Sequence, residues 1–384
     1  MKVITGERLP IKLWASEIEE GALEQARNLA NHPYARHHIA LMPDVHQGYG
    51  MPIGGVLTTE GVIIPNAVGV DIGCGVRAVR TNQRAAIARP RLRDILSKVQ
   101  RAIPTGFNHH KKPQSNPLFN RAPDVPVIRE ELENARYQLG TLGGGNHFIE
   151  IQRDDQDYIW IMLHSGSRNF GKKVADYYNR LAIHLNERYG SPVPREWQLA
   201  YLPINTNEGQ NYLTAMQYCL EFARENRAHM MRVILEVFCS FLPDFAWDKE
   251  LDVHHNYASL EKHFGQQLIV HRKGAVRAVG EVIVPGSMGS PSYICRGLAN
   301  PESFTSCSHG AGRVMGRNEA RRRIPVEKVI KEMQALGVEL FKDKKGDLAE
   351  ECRQAYKDID QVMEEQKDLV EIKIRLQPLA VIKG

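Results

Sequence analysis

The feature that most constrains the fold is a series of apolar, β-branched segments that glycine, proline and asparagine interrupt. Over residues 36–80 these segments alternate with Gly-rich stretches, which predicts short strands joined by tight turns. Strand patterns return towards the end of the chain, whereas 172–190 and 208–241 have the periodicity of helices. The pattern therefore predicts one continuous α+β domain over residues 1–384, with a helical insertion at 172–245.

The composition is ordinary for a soluble globular protein, with 42% hydrophobic and 25% charged residues. No apolar run is long enough for a membrane span, and the first residues lack the apolar region of a signal peptide. We therefore expect a cytoplasmic protein without a membrane partner. Six scattered cysteines lack the spacing of a disulfide framework and are expected to be free. The net charge of +5 permits a polyanionic partner without requiring one.

Side chains that can bind metals follow glycine turns or the ends of apolar strands. The stretch GVDIGCGV places Asp71 three residues before Cys74, with no second cysteine nearby, which excludes a CxxC pair. Carboxylate, thiolate and imidazole all bind divalent ions, and a thiolate can bridge two of them. These ligand types favour zinc first and leave manganese, cobalt and iron open. The other residues in this setting are Asn146, His147, His164, His255, Asn256 and His309.

Any one of these histidines, taken alone, has the simpler explanation of a hydrogen-bonded structural residue, and Cys74 alone that of a small buried apolar residue. Their common setting beside glycine turns favours a shared site instead. His254 is excluded, because in an extended segment its side chain points away from that of His255. Asp44 and His46, in MPDVHQG, are expected to line the site or to support its ligands.

Nine motifs, in order, resemble those of the RtcB family of RNA-splicing and RNA-repair ligases. The resemblance runs from about residue 36 to the last residue, and the chain is shorter than a typical member. It implies an RtcB-like α+β fold, with mixed and antiparallel β-sheets around a deep active-site cleft, flanking helices and the helical insertion. The motifs are DVHQGYGMPIGGV, GVDIGCGVR, LGGGNHFIEI, HSGSRNFG, HHN, HRKGA, PGSMG, SHGAGR and a terminal KG.

The resemblance implies a ligase that joins an RNA 3′-phosphate or 2′,3′-cyclic phosphate to a 5′-hydroxyl, in RNA repair or tRNA splicing. GTP would be the cosubstrate, and two Mn²⁺ ions would occupy each active site. Asp71, Cys74 and His147 would hold one ion, and Cys74, His164 and His255 the other. His309 would be the nucleophile that becomes covalently guanylylated.

The same resemblance implies GTP contacts from five of the motifs. Lys383 has two explanations, because a lysine next to the last residue can also be frayed and solvated. The predicted GTP-contact residues are Asn146, His147, Phe148, Ile149, Glu150, His255, Asn256, Pro285, Gly286, Ser287, Met288, Ser292, His309, Gly310, Ala311, Gly312 and Lys383.

Arginines within or just after two of the motifs are predicted to contact RNA phosphates. Arg168 ends HSGSR, and Arg313, Arg317 and Arg321 are spaced by four, so that they would share one face of a helix. A guanidinium group suits phosphate oxygens. The prediction rests mainly on Arg168, Arg313 and Arg317, because a run of arginines is otherwise typical of a solvated helix face.

Two rival functions stay open at this level. The ligand types alone would permit a metal-dependent 2′,3′-cyclic phosphodiesterase without ligation, or a non-catalytic RNA-binding protein with a structural metal. The SHGAGR motif argues against the first, and the complete ligand set argues against the second. We expect a monomer, with an archease-like activator as a further partner. The RNA itself is not specified, because many broken RNAs have the same ends.

Overall fold

The computed structural model describes residues 1–342 and 345–384, and within them the chain is α+β, as predicted. The strands are β1 (Lys2–Ile4), β2 (Ile11–Leu13), β3 (Ala35–Tyr49), β4 (Met51–Thr59), β5 (Val62–Ile63), β6 (Gly75–Arg84), β7 (Phe148–Arg153), β8 (Tyr158–Ser165), β9 (Leu202–Pro203), β10 (Trp247–His254), β11 (Asn256–His263), β12 (Gln266–Lys273), β13 (Ala275–Arg277), β14 (Val279–Val284), β15 (Ser292–Leu298), β16 (Ser306–Ser308), β17 (Glu339–Phe341) and β18 (Val370–Lys383).

Helices occur mainly in the middle of the chain and near its end. In the described part of the chain, no helix combines the length and the apolar character needed to cross a lipid bilayer. The α-helices are α1 (Glu20–Asn31), α2 (Pro65–Val68), α3 (Ala85–Ala88), α4 (Leu92–Ala102), α5 (Pro126–Gln138), α6 (Arg168–Arg188), α7 (Asn207–Phe241), α8 (Arg317–Arg323), α9 (Val326–Ala335) and α10 (Ile359–Glu365). Short 3₁₀ helices cover Arg89–Arg91, Pro117–Arg121, Arg195–Trp197, Pro301–Ser303, Lys345–Glu351 and Arg353–Ala355.

Two sheets form the framework of the molecule. The first has the strand order β1-β2-β3-β4-β12-β11, and the second has the order β10-β6-β8-β7-β18-β15-β14, with β17 pairing in parallel to β18. The outer strands β10 and β14 of the second sheet contact each other, so this sheet is nearly closed into a barrel. Pairing within the second sheet is otherwise antiparallel.

The strands over residues 36–80 are longer than the sequence predicted. β3 is continuous over 15 residues. Its irregularities are shifts of register against β4 and not turns. Gly50, with φ +69°, makes the turn between the two strands. Gly54 lies within β4, where a Cβ would be 2.9 Å from Oδ1 of Asp44, so this glycine permits close packing rather than a turn.

Antiparallel pairing brings several of the predicted site residues to one edge of the second sheet, the one formed by the ends of its strands. Cys74 immediately precedes β6, whose first residue pairs with the last residue of β8. His164 on β8 pairs with Phe148 on β7, and Phe148 also pairs with Lys383 on β18. The start of each strand thus lies beside the end of its neighbour. Residues that are far apart in sequence therefore meet at this edge.

Helix α7, within the region predicted as an insertion, is buried against this edge and fixes its loops. Arg227, which has no exposed surface, donates to the carbonyl oxygens of Gly73 and Ser165 at 2.9 and 3.0 Å. Its guanidinium also pairs with Asp252 at 2.6 Å. The preceding Asn226 donates to carbonyl oxygens next to the same loops. One buried arginine therefore ties together the segments that carry Cys74, His164 and His255.

Replacing Arg227 by methionine should destabilise the fold strongly, because Asp252 and two carbonyl oxygens lose their buried partner. We expect a loss of about 3–5 kcal/mol in the free energy of unfolding, measured by urea denaturation. The control is Lys172→Met, which breaks an exposed pair with Asp176 one helical turn away and should cost no more than about 0.5 kcal/mol. Equal losses in the two variants would contradict this role of Arg227.

Candidate functional site

The five predicted metal ligands converge around the sulfur of Cys74. Nε2 of His164 lies 3.2 Å from Sγ of Cys74, and Nε2 of His147 lies 3.4 Å from it. Nε2 of His255 is 3.0 Å from Nε2 of His164, and Oδ2 of Asp71 is 3.2 Å from Nε2 of His147. The side chains form two groups of three that share Cys74, and in each group the ligand atoms lie within 4.8 Å of one another.

Hydrogen bonds on the far side of each ring set the tautomer of these histidines. Nδ1 of His147 and Nδ1 of His164 donate to backbone carbonyl oxygens at 2.9 and 3.1 Å. Nδ1 of His255 donates to Oδ1 of Asn256 at 3.4 Å. With the proton on Nδ1, each Nε2 presents a lone pair to the cluster. Lone pairs that face each other at 3.0 Å repel, and a shared cation removes that repulsion, so the residues fit a divalent metal.

Burial sets the charge of these groups. It lowers the pKa of His164 and of His255 well below the ordinary value, and the neighbouring histidines add to the effect, so both rings are neutral. Burial, together with the carboxylate of Asp71, raises the pKa of the Cys74 thiol well above its ordinary value. A bound cation deprotonates a coordinating thiol outright. Sulfur, imidazole and carboxylate ligands suit several transition metals and leave the identity of the ion open.

The loop that carries Asp71 is held by hydrogen bonds from two neighbouring segments. The backbone N–H of Ser167 donates to Oδ1 of Asp71 at 3.2 Å, and Nδ2 of Asn256 donates to its carbonyl oxygen at 3.0 Å. A Cβ at Gly166 would lie 2.3 Å from the carboxylate oxygens, so this position requires glycine. Burial alone would raise the pKa of Asp71, but its interactions with the neighbouring His147, Cys74 and Arg168 bring it below the ordinary value.

His309 lies beside the cluster and is oriented by a buried carboxylate. The centre of its ring is 4.7 Å from that of His255. Its Nδ1 donates to Oδ2 of Asp44 at 2.6 Å, and its backbone N–H donates to the same oxygen at 3.0 Å. Burial would raise the pKa of Asp44, but its contact with His309 lowers it below the ordinary value. Nε2 of His309 is therefore the ring nitrogen with a free lone pair.

Close backbone packing encloses the Asp44 carboxylate. Gly312 has φ +75°, and a Cβ there would lie 2.3 Å from the carbonyl oxygen of Asp44. Nζ of Lys357 donates to the carbonyl oxygens of the residues on either side of Asp44, at 2.8 and 2.9 Å. His46, predicted with Asp44, lines the adjoining pocket. Its Nδ1 donates to the carbonyl oxygen of Asp44 at 2.9 Å, and burial lowers its pKa to about 4.

An open pocket adjoins His309 and gathers most of the predicted GTP-contact residues. Ile149 does not line it, because the alternation of β7 directs its side chain into the core. Ser292 lies behind the wall, where its Oγ accepts from the backbone N–H of Gly286 at 3.1 Å. The predicted GTP-contact residues that line the pocket are Asn146, Phe148, Glu150, Pro285, Gly286, Ser287, Met288, His309, Gly310, Ala311, Gly312 and Lys383.

Lys383 is part of the pocket wall and only 4% exposed, which excludes the alternative of a frayed, solvated lysine. Its Nζ lies 3.3 Å from Oε2 of Glu351 and 5.6 Å from the ring centre of Phe148. Across the pocket wall, burial raises the pKa of Glu150 to about 7, and the charge of Lys383 offsets part of that shift. The pocket thus holds a cation and a carboxyl group that are both shielded from water.

The arginines after His309 do not share one helix face, so that part of the prediction is wrong. Helix α8 begins only at Arg317, and Arg313 precedes it in an irregular segment. Arg313 donates to the hydroxyl of Tyr356 at 2.8 Å and to the carbonyl oxygen of Glu350 at 2.7 Å. The side chain of Arg317 is 51% exposed and lies 3.6 Å from Glu350, which also pairs with Arg321.

Arg168 connects the region of the metal ligands to a neighbouring loop. Its Nε donates to Oγ1 of Thr141 at 3.1 Å, and its terminal nitrogen donates to the carbonyl oxygen of Gly106 at 2.9 Å. A Cβ at Gly143 would lie only 2.0 Å from the guanidinium. The side chain is thus wedged between two loops and contacts protein groups on several sides.

Sequence reasoning missed the acidic and aromatic side of the pocket. Glu351 and Tyr356 line it, and Glu351 accepts from the Tyr356 hydroxyl at 2.7 Å. Neither residue lies in a glycine turn or at the end of an apolar strand. The electrostatic reason for them is visible only in the structure, where a buried Lys383 and a partly buried Arg313 need a nearby anionic partner.

Comparison with known proteins supports the same conclusion as the geometry. The family model described as tRNA-splicing ligase RtcB matches residues 25–122 and 118–384. The RNA-splicing ligase RtcB of Escherichia coli strain K12 is 40% identical over 411 residues, covering 100% of this chain and 99% of that protein. The tRNA-splicing ligase RtcB of Methanococcus maripaludis is 33% identical over 449 residues, covering 97% and 93%.

Both alignments extend over more positions than the 384 residues of this chain, so the relatives carry segments that it lacks. A third relative, the tRNA-splicing ligase RtcB of Archaeoglobus fulgidus, is 32% identical over 461 residues, with 99% of this chain and 95% of that protein covered. The resemblance noted in the sequence motifs is thereby confirmed, and the chain belongs to the RtcB family.

Proposed function

We propose that the protein is an RNA ligase that joins an RNA 3′-phosphate or 2′,3′-cyclic phosphate to a 5′-hydroxyl, using GTP and Mn²⁺. The names of its relatives, RNA-splicing and tRNA-splicing ligase, support this proposal. The observation that carries it is the position of His309. An imidazole with a free Nε2, oriented by a buried carboxylate, lies between a cluster of metal ligands and a pocket with a buried cation.

In the first step, Nε2 of His309 attacks the α-phosphorus of GTP. The new bond joins Nε2 to phosphorus, and the bond from phosphorus to the bridging oxygen breaks as pyrophosphate leaves. The proton on Nδ1 stays in its hydrogen bond to Asp44, which stabilises the positive charge that develops on the ring. Lys383 and Glu150 in the pocket wall are suited to hold the nucleotide.

In the second step, an oxygen of the RNA 3′-phosphate attacks the same phosphorus, and the bond to Nε2 breaks. GMP is now joined to the RNA 3′ end, and His309 regains its lone pair. In the third step, the 5′-hydroxyl attacks the phosphorus of the RNA 3′-phosphate, loses its proton, and GMP leaves. A 2′,3′-cyclic phosphate must first be opened by water to the 3′-monophosphate.

Cys74, His164 and His255 would hold one Mn²⁺ ion, and Asp71, Cys74 and His147 would hold the second. Divalent ions bound there supply charge neutralisation at phosphate oxygens during displacement. Two observations favour a site for two ions next to His309. The sulfur of Cys74 belongs to both groups of ligands, and the ring of His255 is next to that of His309.

The rival functions need less than this arrangement provides. A cyclic phosphodiesterase requires neither a nucleophilic histidine with a buried carboxylate partner nor a pocket beside it. A non-catalytic RNA-binding protein would have no use for an unprotonated Nε2 next to a metal site. A cytoplasmic location, a monomeric state and an archease-like activator stay predictions.

Replacing Cys74 by alanine should remove both metal ions, because its sulfur is the one ligand atom that the two groups share. The wild-type protein should bind two Mn²⁺ ions per chain, and the variant should bind fewer than one at the same free concentration. Equilibrium dialysis with elemental analysis measures both. The matched control is Cys295→Ala, another buried thiol, which lies in β15 within the hydrophobic core and should leave the count at two. A variant at Cys74 that keeps two ions would disprove the bridging role.

Replacing His309 by alanine should abolish the covalent adduct with GMP, because Nε2 is the attacking atom. The adduct is measured with GTP labelled on the α-phosphate, followed by denaturing electrophoresis. The variant should still join RNA whose 3′ end already carries GMP, since the last displacement does not use His309.

The control for that experiment is His254→Ala, whose ring packs on Tyr257 at 4.4 Å and belongs to neither group of candidate metal ligands. It should keep the adduct. An adduct that persists without His309 would require another nucleophile. Lys273 would then be the first to test, because burial lowers its pKa to about 7. Its Nζ donates to the carbonyl oxygens of Tyr49 and Asn66.

Replacing Arg317 by alanine should weaken RNA binding and spare the GMP adduct. Its side chain is half exposed on the rim of the pocket, where an RNA phosphate would compete with Glu350 for the guanidinium. Each lost phosphate contact should lower the slope of log K against log salt by about one unit. Arg313 is unsuited to this test, because its hydrogen bonds hold the segment from 350 to 356. Loss of the adduct as well would mean that Arg317 contacts GTP.

A further inference from the structure

A loop next to the glycine-rich turn at 143–145 is fixed in place by hydrogen bonds from both sides. We call residues 105–112 the rim loop. The N–H of Gly106 donates to the carbonyl oxygen of Gly143 at 2.8 Å, and the carbonyl oxygen of Gly106 accepts from Arg168 at 2.9 Å. Farther along, the N–H of His110 donates to the carbonyl oxygen of Tyr137 at 3.0 Å. The loop therefore has a defined position relative to the site.

The outer face of the rim loop combines an aromatic ring with positive charge. Phe107 is 100% exposed, more than any other large apolar side chain in the described residues. His109, Lys111 and Lys112 follow it and are exposed as well. Among the residues that the structure describes, neither lysine has a carboxylate within 4 Å. Single exposed apolar residues are common on protein surfaces, so the charge and the position of this one matter more than its exposure.

The rim loop lies next to the glycine backbone that leads to the candidate site. A Cβ at Gly144 would lie 3.6 Å from Cα of Gly106, and a Cβ at Gly145 would lie 3.1 Å from the guanidinium of Arg317. A path of glycine backbone without side chains thus runs from Arg317 on the pocket rim to the residue before Phe107. Asn146 and His147, which follow this path in sequence, belong to the pocket and to the metal cluster.

An exposed aromatic ring with adjacent lysines matches one class of ligand best. Single-stranded nucleic acids bind through bases that stack on aromatic side chains and through phosphates that track positive charge. A paired duplex keeps its bases stacked inside and offers no free face to a side chain on a loop. A peptide with acidic residues would satisfy the lysines but would not need a bare glycine path that leads to a phosphate-transfer site.

We propose that the rim loop binds an unpaired nucleotide of the RNA substrate next to the break, with the base stacked on Phe107 and its phosphates near Lys111 and Lys112. This rests on the function proposed above and gives it a substrate requirement: an end with at least one unpaired nucleotide. Arg168 acts as the positioning residue, because it holds Gly106 against the turn that carries the site residues.

Stacking can be observed directly with Phe107→Trp. Addition of single-stranded RNA with a 3′-phosphate should quench its tryptophan fluorescence. The matched control is Tyr189→Trp. Tyr189 is 74% exposed and packs near Arg188, at the far end of α6, roughly 30 Å from Arg168. No quenching beyond that of the control would overturn the proposal.

Binding and joining provide the second readout. Phe107→Ala should weaken binding of single-stranded RNA about tenfold or more, measured by fluorescence anisotropy, and raise the KM for RNA by a similar factor. The rate of GMP adduct formation and kcat should be unchanged, and Phe107→Tyr should restore KM. Tyr189→Ala should behave as wild type. An unchanged KM would refute the proposal, and so would a parallel loss of the adduct, which would show that the loop supports the fold of the site.

The two proposals fail in different ways. If the wild-type protein forms no adduct and joins no RNA, the ligase function fails, while the quenching of Phe107→Trp still tests the binding surface. If joining occurs but a nicked duplex without unpaired nucleotides is joined as efficiently as ends with a three-nucleotide single strand, the substrate requirement is wrong. If Phe107→Ala affects the single-stranded ends and not the nicked duplex, the requirement and its residue are both supported.

Discussion

The arrangement of the candidate site depends on one buried cation. Arg227 has no exposed surface and pairs with Asp252 while donating to the carbonyl oxygens of Gly73 and Ser165. Those partners stand within three residues of Cys74, His164 and His255 along the chain. A buried guanidinium without partners is very unfavourable, so the three segments must approach the same point for the fold to form. Helix α7, which brings Arg227 there, is thus a structural support of the site.

The candidate metal ligands themselves oppose this convergence. Three imidazole rings direct Nε2 into a small volume around the sulfur of Cys74, and the Nε2 atoms of His164 and His255 are 3.0 Å apart. Hydrogen bonds on Nδ1 prevent the rings from turning away or from changing tautomer. The hydrogen bonds of the surroundings therefore hold a geometry that the ligands alone would not adopt, which is the arrangement expected where a cation contributes to stability.

The types of residues in the site could be predicted from the sequence, but their partners could not. Cys74, His147 and His164 stand out because each follows or ends a strand pattern beside glycine. Antiparallel register, which places His164 opposite Phe148, depends on pairings between distant segments and leaves no local trace. Residues such as Glu351, whose role is to offer a charge opposite to that of a neighbour, belong to no periodic pattern or motif. The strands over residues 36–80 were predicted as short because glycine usually indicates a turn, whereas Gly54, within β4, permits close packing instead.

The two large sheets contribute different chemistry, and the site lies where they meet. The second sheet provides Cys74, His147 and His164 at one edge, whereas Asp44 comes from β3 of the first sheet. His255 lies between the last residue of β10 and the first residue of β11, at the point where the chain passes from one sheet to the other. His309, held by Asp44, therefore stays beside the candidate metal ligands only if both sheets keep their relative position. A change at the junction should then disturb ligation even where neither half of the site loses a residue.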